Sequence, residues 1–362
     1  MKDTPWWLQH AETKADLYTL TDLVFPGFLF IMGVAIPLAI RARRERGTGV
    51  PALLGHALLR TIGLLVLGVM FVNQGRFSPE HTGMSERAWY ALGLGAAIAV
   101  LASPPPPGSR WRPAWVVART AAGILLGWLL LRFRGLDEGK VVRLEPQWWG
   151  ILGIIGWCYL TGVVTCLLSG GATAALTGLT GFFIALHLGA GREVMRFPFP
   201  LSEVSWSLMA VVAAGMAVGS LFSGGVDRPW RSRAGFLLAF GLGLLAAGYL
   251  LRPLHGFSKN RGTESWALAS AGWSCLAFLA VWLLTDVGGR PRWLAFALPV
   301  GRNALLAYVL PDLAGGLCGL AGADLMPWWG RGGAAGMLNA AGFTALIAAA
   351  TWGLTRLGVV LR

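Results

Sequence analysis

Few side chains in this chain of 362 residues can move protons or hold a charged ligand, and they fall into small groups. His10 stands in a short polar segment ahead of Asp22, the acid that opens the apolar run 23–40. A neutral imidazole there can take a proton from an attacking hydroxyl or amine, or accept an acyl group as a nucleophile. Either role needs a pKa near the working pH. By spacing alone an inert histidine looks the same. A second group, His255, Lys259, Arg261 and Thr263, lies in the segment 254–266 just before another apolar run. Ammonium, guanidinium and hydroxyl groups are what a phosphate or carboxylate needs for charge-assisted hydrogen bonds. A solvated basic loop has the same composition. Arg302 and Asn303, with Tyr308 and Asp312, interrupt the apolar run 295–319. Single ionisable residues occur at Arg60, Arg119 and His187 inside other runs. At the centre of a span such a residue costs roughly 2.5–3.5 kcal/mol, which makes each a candidate for function. The competing readings are snorkelling for the arginines and a satisfied helix-end histidine for His187. There is no GxxxxGK[ST], HExxH or GxSxG pattern, so nucleotide hydrolysis, zinc proteolysis and serine-hydrolase chemistry find no support.

The elements that position these groups are apolar helices. The composition is 55% hydrophobic and 13% charged, with a mean hydropathy of +0.61, against roughly a quarter charged in a soluble domain. The fold class expected is all-α, a polytopic membrane bundle forming a single domain over 1–362. Apolar runs at 23–40, 52–72, 88–103, 114–131, 148–168, 171–189, 205–222, 234–251, 266–285, 295–319 and 334–359 are each close to the ~20 residues of one crossing, which gives about eleven spans. The net charge of +13 is carried by short arginine clusters between runs, the way topology is encoded in a membrane rather than a nucleic-acid footprint. Arg41, Arg43, Arg44 and Arg46 follow the first span. Alternate threading puts Arg110, Arg112, Arg228, Arg231, Arg233, Arg290, Arg292 and Arg362 on their side. That side is then cytoplasmic, with the N-terminus outside and the C-terminus inside. Basic segments 132–143 and 252–261 oppose this mildly. No cleavable signal peptide is visible. Cys158, Cys166, Cys275 and Cys318 all fall in apolar runs without CxxC spacing and read as reduced core thiols, with no metal site.

Five blocks in order carry a resemblance: Trp6-Trp7-Leu8-Gln9-His10, Thr21-Asp22-Leu23-Val24-Phe25-Pro26-Gly27-Phe28-Leu29-Phe30-Ile31-Met32-Gly33, Gln147-Trp148-Trp149-Gly150-Ile151-Leu152-Gly153, Ser258-Lys259-Asn260-Arg261-Gly262-Thr263-Glu264-Ser265-Trp266 and Gly301-Arg302-Asn303-Ala304-Leu305-Leu306-Ala307-Tyr308. Together they resemble the heparan-alpha-glucosaminide N-acetyltransferase family, as a bacterial member located in the inner (cytoplasmic) membrane. The resemblance implies an acyltransferase that takes an acetyl or acyl group from acyl-CoA (acetyl-CoA as co-substrate) at the cytoplasmic face. The acceptor is a sugar or glycan outside. His10 stands where the family's proposed catalytic histidine precedes the Asp-Leu-Val-Phe-Pro block, as base or acyl carrier, and Asp22 would orient it. Lys259, Arg261, Thr263, Arg302 and Asn303 become candidate contacts to the co-substrate or acceptor. The partners implied are the lipid bilayer, the glycan and a second copy in a homodimer, with no nucleic acid.

One departure bears on activity. Family members usually begin with another helix, opening in Ser-x-Asp-x-x-Arg-Gly and ending in an asparagine that works with the histidine, whereas Met1 lies nine residues before His10. A misplaced start, a truncation and a true loss all fit. Two other functions stay open at this point: a transporter or flippase for a sugar or lipid-linked precursor, motivated by Arg60, Arg119 and Arg302, and an inactive member of the family.

Overall fold

In lipid, every backbone N–H and C=O must find its partner inside the segment, which leaves the helix as the solution for each apolar run. The computed structural model describes residues 5–191, 194–223, 229–323 and 332–361; Arg228 and Arg362 lie outside them. Each of the eleven runs is helical: α1 (Leu20–Arg44), α2 (Val50–Val72), α3 (Glu86–Leu101), α4 (Arg112–Arg132), α5 (Gly150–Leu168), α6 (Thr173–Gly191), α7 (Trp206–Ser223), α8 (Trp230–His255), α9 (Glu264–Trp282), α10 (Ala304–Leu320) and α11 (Gly333–Arg356). Among the described residues nine helices are long and apolar enough to cross a membrane, and α10 is a shorter apolar helix. The exception to a simple run is 295–319. It breaks at Asn303, whose backbone leaves the helical region, so that a short helical turn Leu298–Arg302 precedes α10. The four cysteines are free thiols.

The chain divides into two compact units, with the division falling inside α2 and α5. The first comprises residues 63–153 and 292–362. There Trp89 Nε1 donates to the Leu129 carbonyl at 2.9 Å, and Trp89, Phe77 and Phe133 form an aromatic cluster between α3 and α4. Strands β1 (Gly135–Asp137) and β2 (Lys140–Val142) form an antiparallel hairpin. Its two turn residues, Glu138 and Gly139, both have positive φ, as a type I′ turn needs. Arg76 ties the hairpin to the segment leading into α5 by bonding Asp137 and, at 2.9 Å, Glu145. The guanidinium of Arg119 lies over Trp115, 5.0 Å from the ring centroid, on the exposed helix α4.

The second unit, residues 5–62 and 154–291, contains His10, Asp22 and Lys259. Its central helix is α7, buried without interruption from Trp206 to Leu221. Helix α1 runs parallel to it: Gly33 lies against Val212–Met216, Gly215 against Phe30, and Gly219 against Val34. Small residues let the two backbones approach, the usual way for apolar helices to pack in lipid. A side chain on Gly215 would overlap the Phe30 carbonyl, while one on Gly243 would meet nothing within 4 Å. Gly215→Leu is therefore expected to lower the melting temperature in detergent, at a cost of about 1–3 kcal/mol or more. Gly243→Leu should leave it unchanged, and equal melting of both variants would contradict the close crossing.

Helix α6 runs antiparallel to α7. Thr173 Oγ1 is 2.8 Å from Ser220 Oγ at one end, and Phe183 stacks on Trp206 at the other. Helices α8 and α9 form an antiparallel pair, with Gly241 against Leu276 and Gly248 against Ser265 and Ala269. Their connecting loop reaches the start of α7, where Ser207 Oγ donates to the Gly262 carbonyl at 2.6 Å. The starts of α1, α7 and α9 and the finishes of α6 and α8 thus gather at one end of this unit. The opposite end carries its own arginine cluster: Arg41, Arg43 and Arg44 close α1, and Arg231 and Arg233 open α8, Arg233 lying over Phe222. By its 25 residues, α1 separates the two ends by about 38 Å at 1.5 Å per residue.

Candidate active site

Helix α1 begins with the sequence Thr19-Leu20-Thr21-Asp22, a capping box in which Asp22 turns back on the backbone of Thr19. One oxygen of its carboxylate accepts from the backbone N–H groups of Thr19 and Ala11, at 3.1 and 3.0 Å. The other lies 2.8 Å from His10 Nδ1. The group that caps the helix therefore also fixes the imidazole. Thr19 Oγ1 and Thr21 Oγ1 donate to the carbonyls of Gln9 and Leu8, at 2.6 and 2.8 Å, which folds the preceding segment against the helix start. Asp22 is 1% exposed and His10 58% exposed, so a buried acid presents an imidazole outward. A carboxylate accepts and does not donate when ionised. Nδ1 therefore carries the proton, and Nε2 is left as the basic nitrogen.

Lys259 comes to this pair from the loop between α8 and α9. Its Nζ is 3.1 Å from His10 Nδ1, 3.4 Å from Nε2 and 4.0 Å from Asp22 Oδ1. With Nδ1 committed to Asp22, Nε2 is the nitrogen that can accept from the ammonium. Burial pushes the Lys259 ammonium below the ordinary lysine value, while the Asp22 charge pulls it back up.

The loop is latched by the N-terminal segment. Asp16 accepts from Phe257 N at 2.6 Å and Arg252 Nε at 2.9 Å. Asn260 Nδ2 donates to Thr13 Oγ1 at 2.9 Å, and the ring of Phe257 packs edge-on against Tyr18 and Tyr249. The Phe257 N–H holds the Asp16 carboxyl below its usual range against the opposing pull of desolvation, with Arg252 and Arg261 adding to the effect. The sign follows from the depressed folded value. The latch is fully present above the ordinary Asp value of about 3.9 and is lost as pH falls through the lower folded one. Amide exchange over residues 9–19 is expected to accelerate in acid below that range in the native protein. In Asp16→Asn it should be fast at every pH; identical exchange in the two proteins would remove Asp16 as the latch.

Three of the residues singled out in the sequence, His10, Asp22 and Lys259, thus come together. Arg261 turns instead to the His255 carbonyl at 2.8 Å. Thr263 is buried and its hydroxyl accepts from Ser258 N at 3.0 Å, which closes the loop rather than facing a ligand. Arg302 and Asn303 belong to the first unit. Asn303 is buried there and spent on the chain's last segment: its Nδ2 donates to Thr355 Oγ1 and the Val359 carbonyl, at 3.0 and 2.8 Å, and its Oδ1 accepts from Leu361 N. Arg302 is exposed. Sequence reasoning missed Glu264. It is fully buried, with His255 Nδ1 at 3.0 and 3.1 Å from its two oxygens and His187 Nε2 at 3.7 Å. An acid in the first turn of an apolar helix gives the same signal when it merely caps the helix. Among the described residues no group of three or more His, Cys, Asp or Glu is arranged to hold a metal ion.

No family model matches the chain. A stretch of 68 residues, 19% of the chain, is 38% identical to heparan-alpha-glucosaminide N-acetyltransferase of Mus musculus, and an equal stretch is 38% identical to the enzyme of that name from Homo sapiens. The matched stretch spans 10% of each relative's length. The likeness supports a distant relationship to that transferase.

Proposed function

We propose that the chain is a membrane-embedded acyltransferase that moves an acetyl or acyl group from acyl-CoA to an amino sugar or glycan, with His10 as the general base. The observation that carries this reading is the buried carboxylate of Asp22, 2.8 Å from His10 Nδ1 at the start of α1. An imidazole held in this way keeps one tautomer, and its cation is stabilised when it takes a proton. Support comes also from the transferase named among the relatives, which acts on a glucosaminide. In the reaction His10 Nε2 removes a proton from the attacking acceptor nitrogen. The Lys259 ammonium stabilises the thioester oxygen as it gains charge. The proton then passes from His10 to the departing sulfur. Arg41, Arg43 and Arg44, at the other end of α1, supply guanidinium groups for the donor's phosphates as it enters from the cytoplasmic side.

The test uses membranes carrying the full chain, labelled acetyl-CoA and a panel of amino sugars. Label appearing on a sugar amide is the expected result. Failure to transfer to any of them, together with uptake of a sugar into sealed vesicles without an acyl donor, would replace the acyltransferase with a transporter.

A further inference from the structure

Acyl transfer to an amine has a proton count that His10 alone does not meet. A primary amine, like the lysine side chain, is protonated at neutral pH. An ammonium acceptor must shed two protons for each amide formed. One must leave before the nitrogen can attack. The other passes through His10 to the thiolate sulfur as the C–S bond breaks and the N–C bond forms. A hydroxyl acceptor sheds only the second.

The end of the unit that holds His10 also holds a proton-carrying cluster outside this transfer. Glu264, the first residue of α9, is 0% exposed. His255, the last residue of α8, sits 3.0 and 3.1 Å from both its oxygens and is 44% exposed. His187, near the finish of α6, lies 3.7 Å from the same carboxylate and is 26% exposed. A buried carboxylate is costly unless paired, and here both neighbours are imidazoles, side chains that can accept and release a proton. The surrounding cations are engaged elsewhere: Arg261 on the His255 carbonyl, Lys259 on His10 and Arg252 on Asp16. One loop, 256–263, thus touches both sites, with Lys259 on His10 and Arg261 on His255. A carboxylate that only capped α9 would need neither histidine, and each imidazole runs from the buried oxygens to a partly exposed position.

Resting on the acyltransferase reading, we propose that His255, Glu264 and His187 form a proton-accepting relay. It takes the first proton from an ammonium acceptor and passes it to solvent, which makes this a site for protonated primary amines.

The decisive variant is Glu264→Gln, which keeps the size of the side chain and a hydrogen bond to His255 but cannot ionise. Glucosamine serves as the acceptor and labelled acetyl-CoA as the donor. At pH 7 transfer by the variant is expected to fall about tenfold or more. It should then recover towards the native rate as pH is raised and the acceptor loses its proton unaided, and as imidazole buffer is added. A uniform loss with neither recovery, or no loss at all, overturns the relay and leaves Glu264 a structural acid. Absence of transfer by the native protein overturns the acyltransferase reading and the relay with it, whereas native transfer with an unaltered variant removes the relay alone. Should Glu264→Gln fail to fold, His255→Gln and His187→Gln are held to the same two recoveries.

Discussion

Alanine at position 10 is expected to lower acyl transfer by about 10²–10⁴-fold, the usual contribution of a positioned general base. The protein's melting temperature should hardly move. The imidazole is 58% exposed and contributes little buried surface. The Asp22 carboxylate keeps its bonds from the backbone N–H groups of Ala11 and Thr19, so the cap of α1 survives. Imidazole added to the assay should restore part of the rate, because the Asp22 carboxylate and the Lys259 ammonium still border the space the ring has left. A parallel fall in melting temperature and activity would assign His10 to the fold. Equal transfer by the native protein and His10→Ala would remove it from the mechanism.

That His10 and Asp22 were readable in the sequence has a local cause. Both belong to one helix start, where a capping acid faces the segment leading into the helix, and the hydroxyls of Thr19 and Thr21 fold that segment back onto it through the Gln9 and Leu8 carbonyls. Lys259 was legible only as a cation in a basic loop, since its approach to His10 depends on the docking of α8 and α9 beside α1. Glu264 was not legible at all, because its partners come from the finishes of two other helices. Asn303 is the opposite case. A polar residue in an apolar run is expensive wherever it stands, and nothing local says whether it serves a ligand or, as here, holds the chain's last segment through Thr355, Val359 and Leu361. The eleven runs were legible because backbone satisfaction in lipid is a rule of length and hydropathy, while the break at Asn303 coincides with tertiary bonds distant in sequence.

The other large effect belongs to Asp22, and two substitutions separate its two duties. Asparagine can keep an oxygen towards the backbone N–H groups of Ala11 and Thr19, which preserves the helix start. Its NH₂ then faces His10 Nδ1 in place of a carboxylate oxygen. Two donors cannot meet, so Nδ1 must give up its proton and accept, and the proton moves to Nε2, the nitrogen that has to be basic. Transfer by Asp22→Asn is therefore expected to fall by up to about 10⁴-fold, the loss seen when a catalytic imidazole is held in the wrong tautomer, with melting close to native. Alanine instead leaves the buried Thr19 N–H and the partly buried Ala11 N–H without an acceptor, at a cost of about 1–3 kcal/mol, and removes the anion from the positive end of the α1 dipole. Asp22→Ala should consequently lose both activity and stability. Native activity in Asp22→Asn would mean that the carboxylate only caps α1 and that the 2.8 Å contact with His10 has no part in the chemistry. Loss of activity in Asp22→Asn with its melting unchanged ties the rate to the orientation of one ring nitrogen.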